Sequence, residues 1–186
     1  MGRAQPPGHG TGGGTAPGEG NVSAFNGGGA GVRIAGFTGN RIRGNRFYDN
    51  GTMGIDLDTG TGSSRGPTPN DPGDADTGGN NLQNYPIVSS VDYGATTTVH
   101  ASLNSAPATI FDIDFFANPT CLYPPPLYVQ AQDYVGSTQA GTDDSGNETI
   151  DFVMHAGLQA GQSATHPQPA HTGTAHETTS VTTPTA

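Results

Sequence analysis

Two aspartates near the middle of the chain have the spacing of a carboxylate pair. Asp56 and Asp58 lie two residues apart in a stretch of alternating apolar residues, so in a strand both side chains point to one face. Paired carboxylates can hydrolyse a glycosidic bond. A lyase would instead use a cation and an arginine base, and Arg33, Arg41 and Arg43 are close in sequence. No complete hydrolase or lyase motif surrounds them, so we expect charges on a scaffold rather than a catalytic pair.

A second group of acidic residues has the composition of a cation site. In "NDPGDADTGGN", Asp71, Asp74 and Asp76 can direct carboxylate oxygens at Ca²⁺, and Asn80 can add an amide oxygen. The segment has neither the spacing of an EF-hand nor a glutamate at its far end. The same residues are common in solvated turns, which is the alternative interpretation.

Two further features could bind metal or act as a nucleophile. His166, His171 and His176 recur every five residues within a Thr- and Pro-rich tail, where composition explains them as well as metal binding does. Cys121 is the only cysteine, so the chain cannot form an internal disulfide. We expect neither feature to be a functional site.

The elements that position these residues are indicated by an internal repeat. "GNVSAFN" at residues 20–26 aligns with "GNRFYDN" at 44–50, and "GAGVRI" at 29–34 aligns with "TMGIDL" at 52–57. Repeats of 20 to 30 residues are typical of solenoids, in which each repeat forms one turn that stacks on the next. Gly and Asn tolerate the left-handed backbone of corners. We therefore predict structural corners, with stacked amides, at Asn21, Asn26, Asn45 and Asn50.

Residues 12–58 resemble the right-handed parallel β-helix repeat proteins of bacteria, which share their architecture with pectate lyases and surface adhesins. The resemblance implies a short helix of two to three coils. It also implies the β-sandwich that usually follows, to which "FFANPTC" belongs. Because this family includes enzymes and non-enzymes, the resemblance alone does not assign an activity.

Five alternating segments after residue 84 predict an antiparallel sandwich. In one of them Phe111, Ile113 and Phe115 are expected to face inward, while Asp112 and Asp114 face water. The predicted organisation is all-β throughout. It comprises a disordered N-terminus at 1–11, β-helix coils at 12–58, an acidic Gly/Pro/Asp linker at 59–84, a β-sandwich at 85–155 and a disordered Thr/Pro/His tail at 156–186.

Charge is distributed unevenly along the chain. The six arginines all precede residue 66, giving this part a net charge of +2, whereas the remainder carries -12 and no basic residue other than histidine. Such an acidic surface repels phosphate backbones and anionic lipid, so we expect no nucleic-acid partner. No apolar run is long enough for membrane insertion, and the first residues lack a signal-peptide pattern.

These features lead us to expect a non-catalytic extracellular or cell-surface protein. Its helix would be a stalk, and its sandwich would contact carbohydrate or a cell-surface polymer, with Ca²⁺ as its one candidate cofactor. The alternatives are the remnant of a polysaccharide lyase or glycoside hydrolase whose groove lies on upstream coils, and a gene fragment without a function of its own. Ligand identity and oligomeric state stay open.

Overall fold

The computed structural model describes residues 10–59, 67–94, 96–118 and 130–154, and the backbone of residues 180–181. The prediction of an all-β chain is confirmed, because the regular structure in these ranges is strands plus one short 3₁₀ turn, Gly79–Leu82. The strands are Thr11–Gly12 (β1), Val22–Ala24 (β2), Val32–Ile34 (β3), Arg41–Ile42 (β4), Arg46–Tyr48 (β5), Ile55–Leu57 (β6), Ile87–Tyr93 (β7), Thr97–Asn104 (β8), Ile110–Ala117 (β9), Asp133–Gly141 (β10), Asn147–Met154 (β11) and Ser180–Val181 (β12).

The first six strands form three small parallel sheets. Strands β1 to β3 make a first pass and β4 to β6 a second, and the pairs are β1 with β4, β2 with β5, and β3 with β6. Val22 is opposite Arg46 and Val32 is opposite Ile55, the spacings of 24 and 23 residues seen in the sequence repeat. In the described part of the chain each sheet has only two strands, so this parallel region (residues 10–59) is not an extended solenoid.

Glycine at the corners allows the two passes to approach closely. Gly44 has a φ of 62°, in the left-handed region. A Cβ atom at Gly44 would clash with the carbonyl oxygen of Gly14, and one at Gly20 would clash with the carbonyl oxygen of Gly44. Larger residues at these corners would force the passes apart.

The later strands form two antiparallel sheets, and residues 87–154 are called the antiparallel region. One sheet has the order β11-β8-β7, and the other has the order β10-β9-β12. The two sheets bury a common apolar layer because alternate residues of each strand point inward. Its buried members are Val99, Ala101, Leu103, Phe111, Ile113, Phe115, Ala140 and Ile150.

A second apolar cluster joins the two regions. Phe47, which is 1% exposed, packs with Ile55 and Leu57 of the parallel region and with Phe116 and Ala131 of the antiparallel region. Leu82 enters the same cluster from the connector, whose residues 67–84 are described. The connector thus contributes to the core.

The expectation that Asp112 and Asp114 face water is wrong. They are 8% and 1% exposed, because the outer face of β9 is covered by the parallel region and its arginines.

Only a few residues of the predicted N-terminal segment (1–11) and C-terminal segment (156–186) are described. Thr11 lies in β1 and the backbone of Ser180–Val181 pairs with β9, while residues 1–9 and the rest of 156–186 lie outside the described residues.

Candidate functional site

The three aspartates of the predicted cation site do converge. Asp71, Asp74 and Asp76 each offer a carboxylate oxygen, and these atoms lie within 4.8 Å of one another. One oxygen of Asp76 is buried without a hydrogen-bond partner. Burial, together with the neighbouring charges of Asp71 and Asp74, raises the pKa of Asp76. A hard cation would relieve this crowding of negative charge, and its preferred ligands are oxygens of this kind.

Asn80 does not complete this cluster. Its amide oxygen accepts hydrogen bonds from the backbone N–H and side-chain amide of Asn40, and its amide nitrogen donates to the carbonyl oxygen of Asn40. The amide of Asn80 is thus occupied in joining the connector to the parallel region. Among the described residues, the cation site that the geometry supports consists of the three carboxylates.

Asp74 also has a role in fastening the connector. One carboxylate oxygen accepts a 3.0 Å hydrogen bond from the backbone N–H of Asn84, and the other accepts a 2.7 Å bond from the hydroxyl of Ser105. Asn84 in turn is buried and donates to the carbonyl oxygens of Asp71 and Asn104. Because these bonds join Asp71 and Asp74 to Asn84 and Ser105, they hold the acidic cluster beside the end of β8.

The second predicted pair, Asp56 and Asp58, lies on β6 and immediately after it. Both are buried, with 6% and 0% exposure, and Asp58 pairs with Arg33. One oxygen of Asp56 is buried without a hydrogen-bond partner. Burial raises the pKa of Asp56, while the charge of Arg33, its register partner, opposes that rise. The arrangement contains one structural ion pair and one carboxylate that is harder to ionise.

The arginines that could serve as a lyase base bind elsewhere. Arg43 is 5% exposed and forms ion pairs with Asp114 and, at 2.9 Å, with Asp112. Burial lowers the pKa of Arg43, but the hydrogen bond and charge of Asp114, with the charge of Asp112, outweigh it and raise that pKa. Arg41 also contacts Asp112, at 3.2 Å. These pairs attach the parallel region to β9.

Sequence reasoning missed this attachment, although a signal for it exists. All arginines precede residue 66, and most acidic residues follow it. Two parts of a chain with opposite charge attract each other, so this distribution favours contact between them in the fold. Cations are the natural partners of the acidic half. Some of those partners are the chain's own arginines.

The four predicted corner asparagines form hydrogen-bonded ladders. The side-chain amide of Asn21 donates to the amide oxygen of Asn45 at 3.0 Å, and that of Asn26 donates to Asn50 at 2.7 Å. Gln130 continues the second ladder, because its side-chain oxygen accepts from the backbone N–H and side-chain amide of Asn50. A residue of the antiparallel side thus occupies the position of a third rung.

An open cleft lies where the two regions meet. Its volume is about 510 Å³, and one wall is the glycine-rich loop 14–20. Arg46, Asp133 and Tyr134 also line the cleft, and side-chain atoms of Arg46 and Asp133 are 2.9 Å apart. The volume falls within the range of small-molecule sites. The face of an aromatic ring can contact a sugar ring, and neighbouring polar groups can bind the hydroxyls of that sugar.

Other predicted features lie outside the described residues: Cys121 and the histidines His166, His171 and His176. Among the described residues, no helix is long and apolar enough to cross a membrane. Comparison with protein-family models and with curated proteins finds no match for this chain.

Proposed function

We propose that this chain is a non-catalytic extracellular or cell-surface protein with a right-handed parallel β-helix stalk. Its two passes would be coils of that helix, and the antiparallel sandwich would present a surface to carbohydrate or another cell-surface polymer. The observation that carries the proposal is the stacking of the two passes through parallel strands and asparagine ladders. Repeated stacking of this kind makes a stiff rod, as a stalk requires.

The fixed arginines support a scaffold role over a catalytic one. Arg33, Arg41 and Arg43 form ion pairs with aspartates of the chain itself. An arginine base would have to be unpaired and within hydrogen-bond reach of the proton it removes. In this arrangement the arginines stabilise contacts within and between the two regions.

The cleft beside loop 14–20 is the proposed carbohydrate-contacting surface. Retention on insoluble polysaccharides tests it, with the variants Tyr134→Leu and Tyr93→Leu compared. Leu keeps apolar contact with Phe116, against which Tyr134 packs, but removes the polar ring. We expect Tyr134→Leu to lose retention and Tyr93→Leu, an exposed tyrosine at the end of β7, to keep it. Equal retention by both variants would refute the assignment of the cleft.

The remnant of a polysaccharide lyase or glycoside hydrolase is the second candidate, and Asp56 is the observation in its favour. A buried carboxyl with a raised pKa has the property of a general acid. Release of reducing sugars or unsaturated products from pectin and alginate tests this candidate. Product release that disappears in Asp56→Asn would replace the scaffold proposal, whereas no product release would support it.

Calcium binding is proposed at the three convergent carboxylates. Asp71, Asp74 and Asp76 would hold the ion, which would add a cross-link to the connector. Calorimetric titration with Ca²⁺ tests this, with Asp76→Asn as the variant and Asp144→Asn, an exposed turn residue, as the matched control. We expect Asp76→Asn to weaken binding at least about tenfold and Asp144→Asn to leave it unchanged. No heat of binding in the unmodified protein would overturn the proposal.

A further inference from the structure

The outward edge of the first pass is unpaired in the part of the chain that the structure describes. Among the described residues, β1, β2 and β3 each pair with a strand on one side only. Val22 is 56% exposed and Phe25 is 73% exposed, and Asn21 and Asn26 are also exposed. Open edges of this kind are templates for pairing with another strand.

The direction of backbone hydrogen bonds identifies which groups this edge offers. The backbone N–H of Arg46 donates to the carbonyl oxygen of Asn21. In a parallel ladder with Val22 opposite Arg46, the N–H and C=O groups of Val22 and Ala24 therefore point away from β5. On β5 the equivalent outward group is used, because the N–H of Phe47 donates to the carbonyl oxygen of Ala131.

The asparagine ladders have a consistent polarity. The amide oxygen of Asn45 accepts from the backbone N–H and side-chain amide of Asn21, and the oxygen of Asn50 accepts in the same way from Asn26. Gln130 accepts in the same way from Asn50, although the two residues are 80 positions apart. Each rung donates to the next, and a rung need not come from a neighbouring part of the chain.

We propose that the edge of β2 binds an extended segment of another polypeptide that runs parallel to it and carries two asparagines separated by four residues. The amides of those asparagines would donate to the side-chain oxygens of Asn21 and Asn26, and the backbone would pair with Val22 and Ala24. A second copy meeting this edge with its own would place acceptor oxygens against acceptor oxygens. The partner is therefore a strand that presents donors, added to the edge as in β-augmentation.

The probe is the peptide GNVSAFNGG, the sequence of residues 20–28, added to the ¹⁵N-labelled full chain. We expect saturable shifts of the Val22 and Ala24 amide signals. The peptide GDVSAFDGG, whose carboxylates cannot donate, should bind at least about tenfold more weakly because two hydrogen bonds are lost. The peptide GNVSANFGG, which has the same composition but only three residues between its asparagines, tests the spacing and should bind as weakly as the Asp peptide.

Two variants of the chain locate the site. Val22→Lys should abolish the shifts, and Val153→Lys, at another exposed valine, should leave them unchanged. Equal binding of the Asp and Asn peptides, shifts elsewhere, or none at millimolar peptide would overturn the proposal. Concentration-dependent dimerisation that Val22→Lys removes would assign the edge to a second copy instead. This inference does not depend on carbohydrate binding, so each proposal can fail without the other.

Discussion

The two passes of the parallel region have matching sequences but different environments. Asn45 and Asn50 of the second pass are buried, whereas Asn21 and Asn26, at the matching positions of the first, are exposed. The second pass lies between the first pass and residues 130–134, whereas the first has a neighbour on one side only among the described residues. In a stacked structure, the burial of a residue depends on whether its pass is covered on one side or on both. Matching residues of the two passes therefore contribute unequally to the free energy of unfolding.

The largest effect should come from removing the aromatic core of the second pass. Phe47→Ala leaves a cavity in the cluster that joins both regions, so we expect about 4 kcal/mol loss in the free energy of unfolding. Val22→Ala, in the first pass, should cost below about 0.5 kcal/mol. Chemical denaturation measures both. Similar costs for the two variants would show that the passes are equally buried in solution.

The ion pairs that attach the second pass to β9 should come next. Arg43→Met leaves the buried carboxylate of Asp114 without its cation, which should cost about 3 kcal/mol. The matched variant Arg46→Met breaks the exposed pair with Asp133 and should cost below about 1 kcal/mol. Denaturation midpoints compare them, and an Arg43→Met midpoint equal to that of Arg46→Met would contradict the attachment.

The two rungs of one ladder give a direct test of the comparison. Asn50 has partners on both sides, so Asn50→Ala should cost about 2 kcal/mol, more than the roughly 1 kcal/mol expected for Asn26→Ala. Thermal melting of the two variants measures the difference. Adding Gln130→Ala to Asn50→Ala should cost little more, because the two residues contribute to one network. Additive costs would argue against a continuous ladder.

The buried carboxyl of the second pass should affect the pH dependence of stability. Because burial raises the pKa of Asp56, the folded state holds its proton to a higher pH than the unfolded state does. Burying the ionised carboxylate of Asp56 therefore lowers the stability of the fold at neutral pH. This cost disappears as pH falls through the folded pKa of Asp56 towards the ordinary aspartate pKa. Asp56→Asn should be more stable than the parent at neutral pH, and the difference should shrink on acidification. A pH-independent difference would contradict the raised pKa.

The smallest effect is expected on the outer face of the antiparallel region. His100 of β8 lies 2.7 Å from Asp151 of β11 and 3.2 Å from Asp92 of β7, and these carboxylates raise its pKa. The resulting stabilisation is complete below the ordinary histidine pKa and is lost as pH rises through the folded value. His100→Gln should remove this dependence while leaving that of Asp56 intact. Proton NMR titration of the ring measures the pKa directly.

Much of the strand structure was predictable from local sequence. Alternating apolar residues indicated strands near β7 to β11, and the repeat indicated which parts of the two passes align. The environment of Asp112 and Asp114 was not predictable in this way, because alternation assigns a side chain to a face but not what covers that face. Their arginine partners are about 70 residues away in sequence.

The candidate cation site was predictable in part for the same reason. Asp71, Asp74 and Asp76 are close in sequence, and their convergence needs only a turn. Asn80 is equally close, but a residue 40 positions earlier, Asn40, binds its amide. Turn residues determine how side chains close in sequence converge. Which partner binds a polar side chain, as Asn40 binds Asn80, depends on distant parts of the chain.

By itself the sequence determined the all-β class, because its many glycines and prolines exclude long helices and its alternating segments favour strands. It also determined the spacing of the two passes, through the regular recurrence of Gly-Asn pairs. Only the tertiary structure decided which pass is buried and which charges are paired. Those outcomes depend on Gln130, Asp112 and Asp114 reaching the second pass across 70 to 80 residues, a contact that no local pattern encodes.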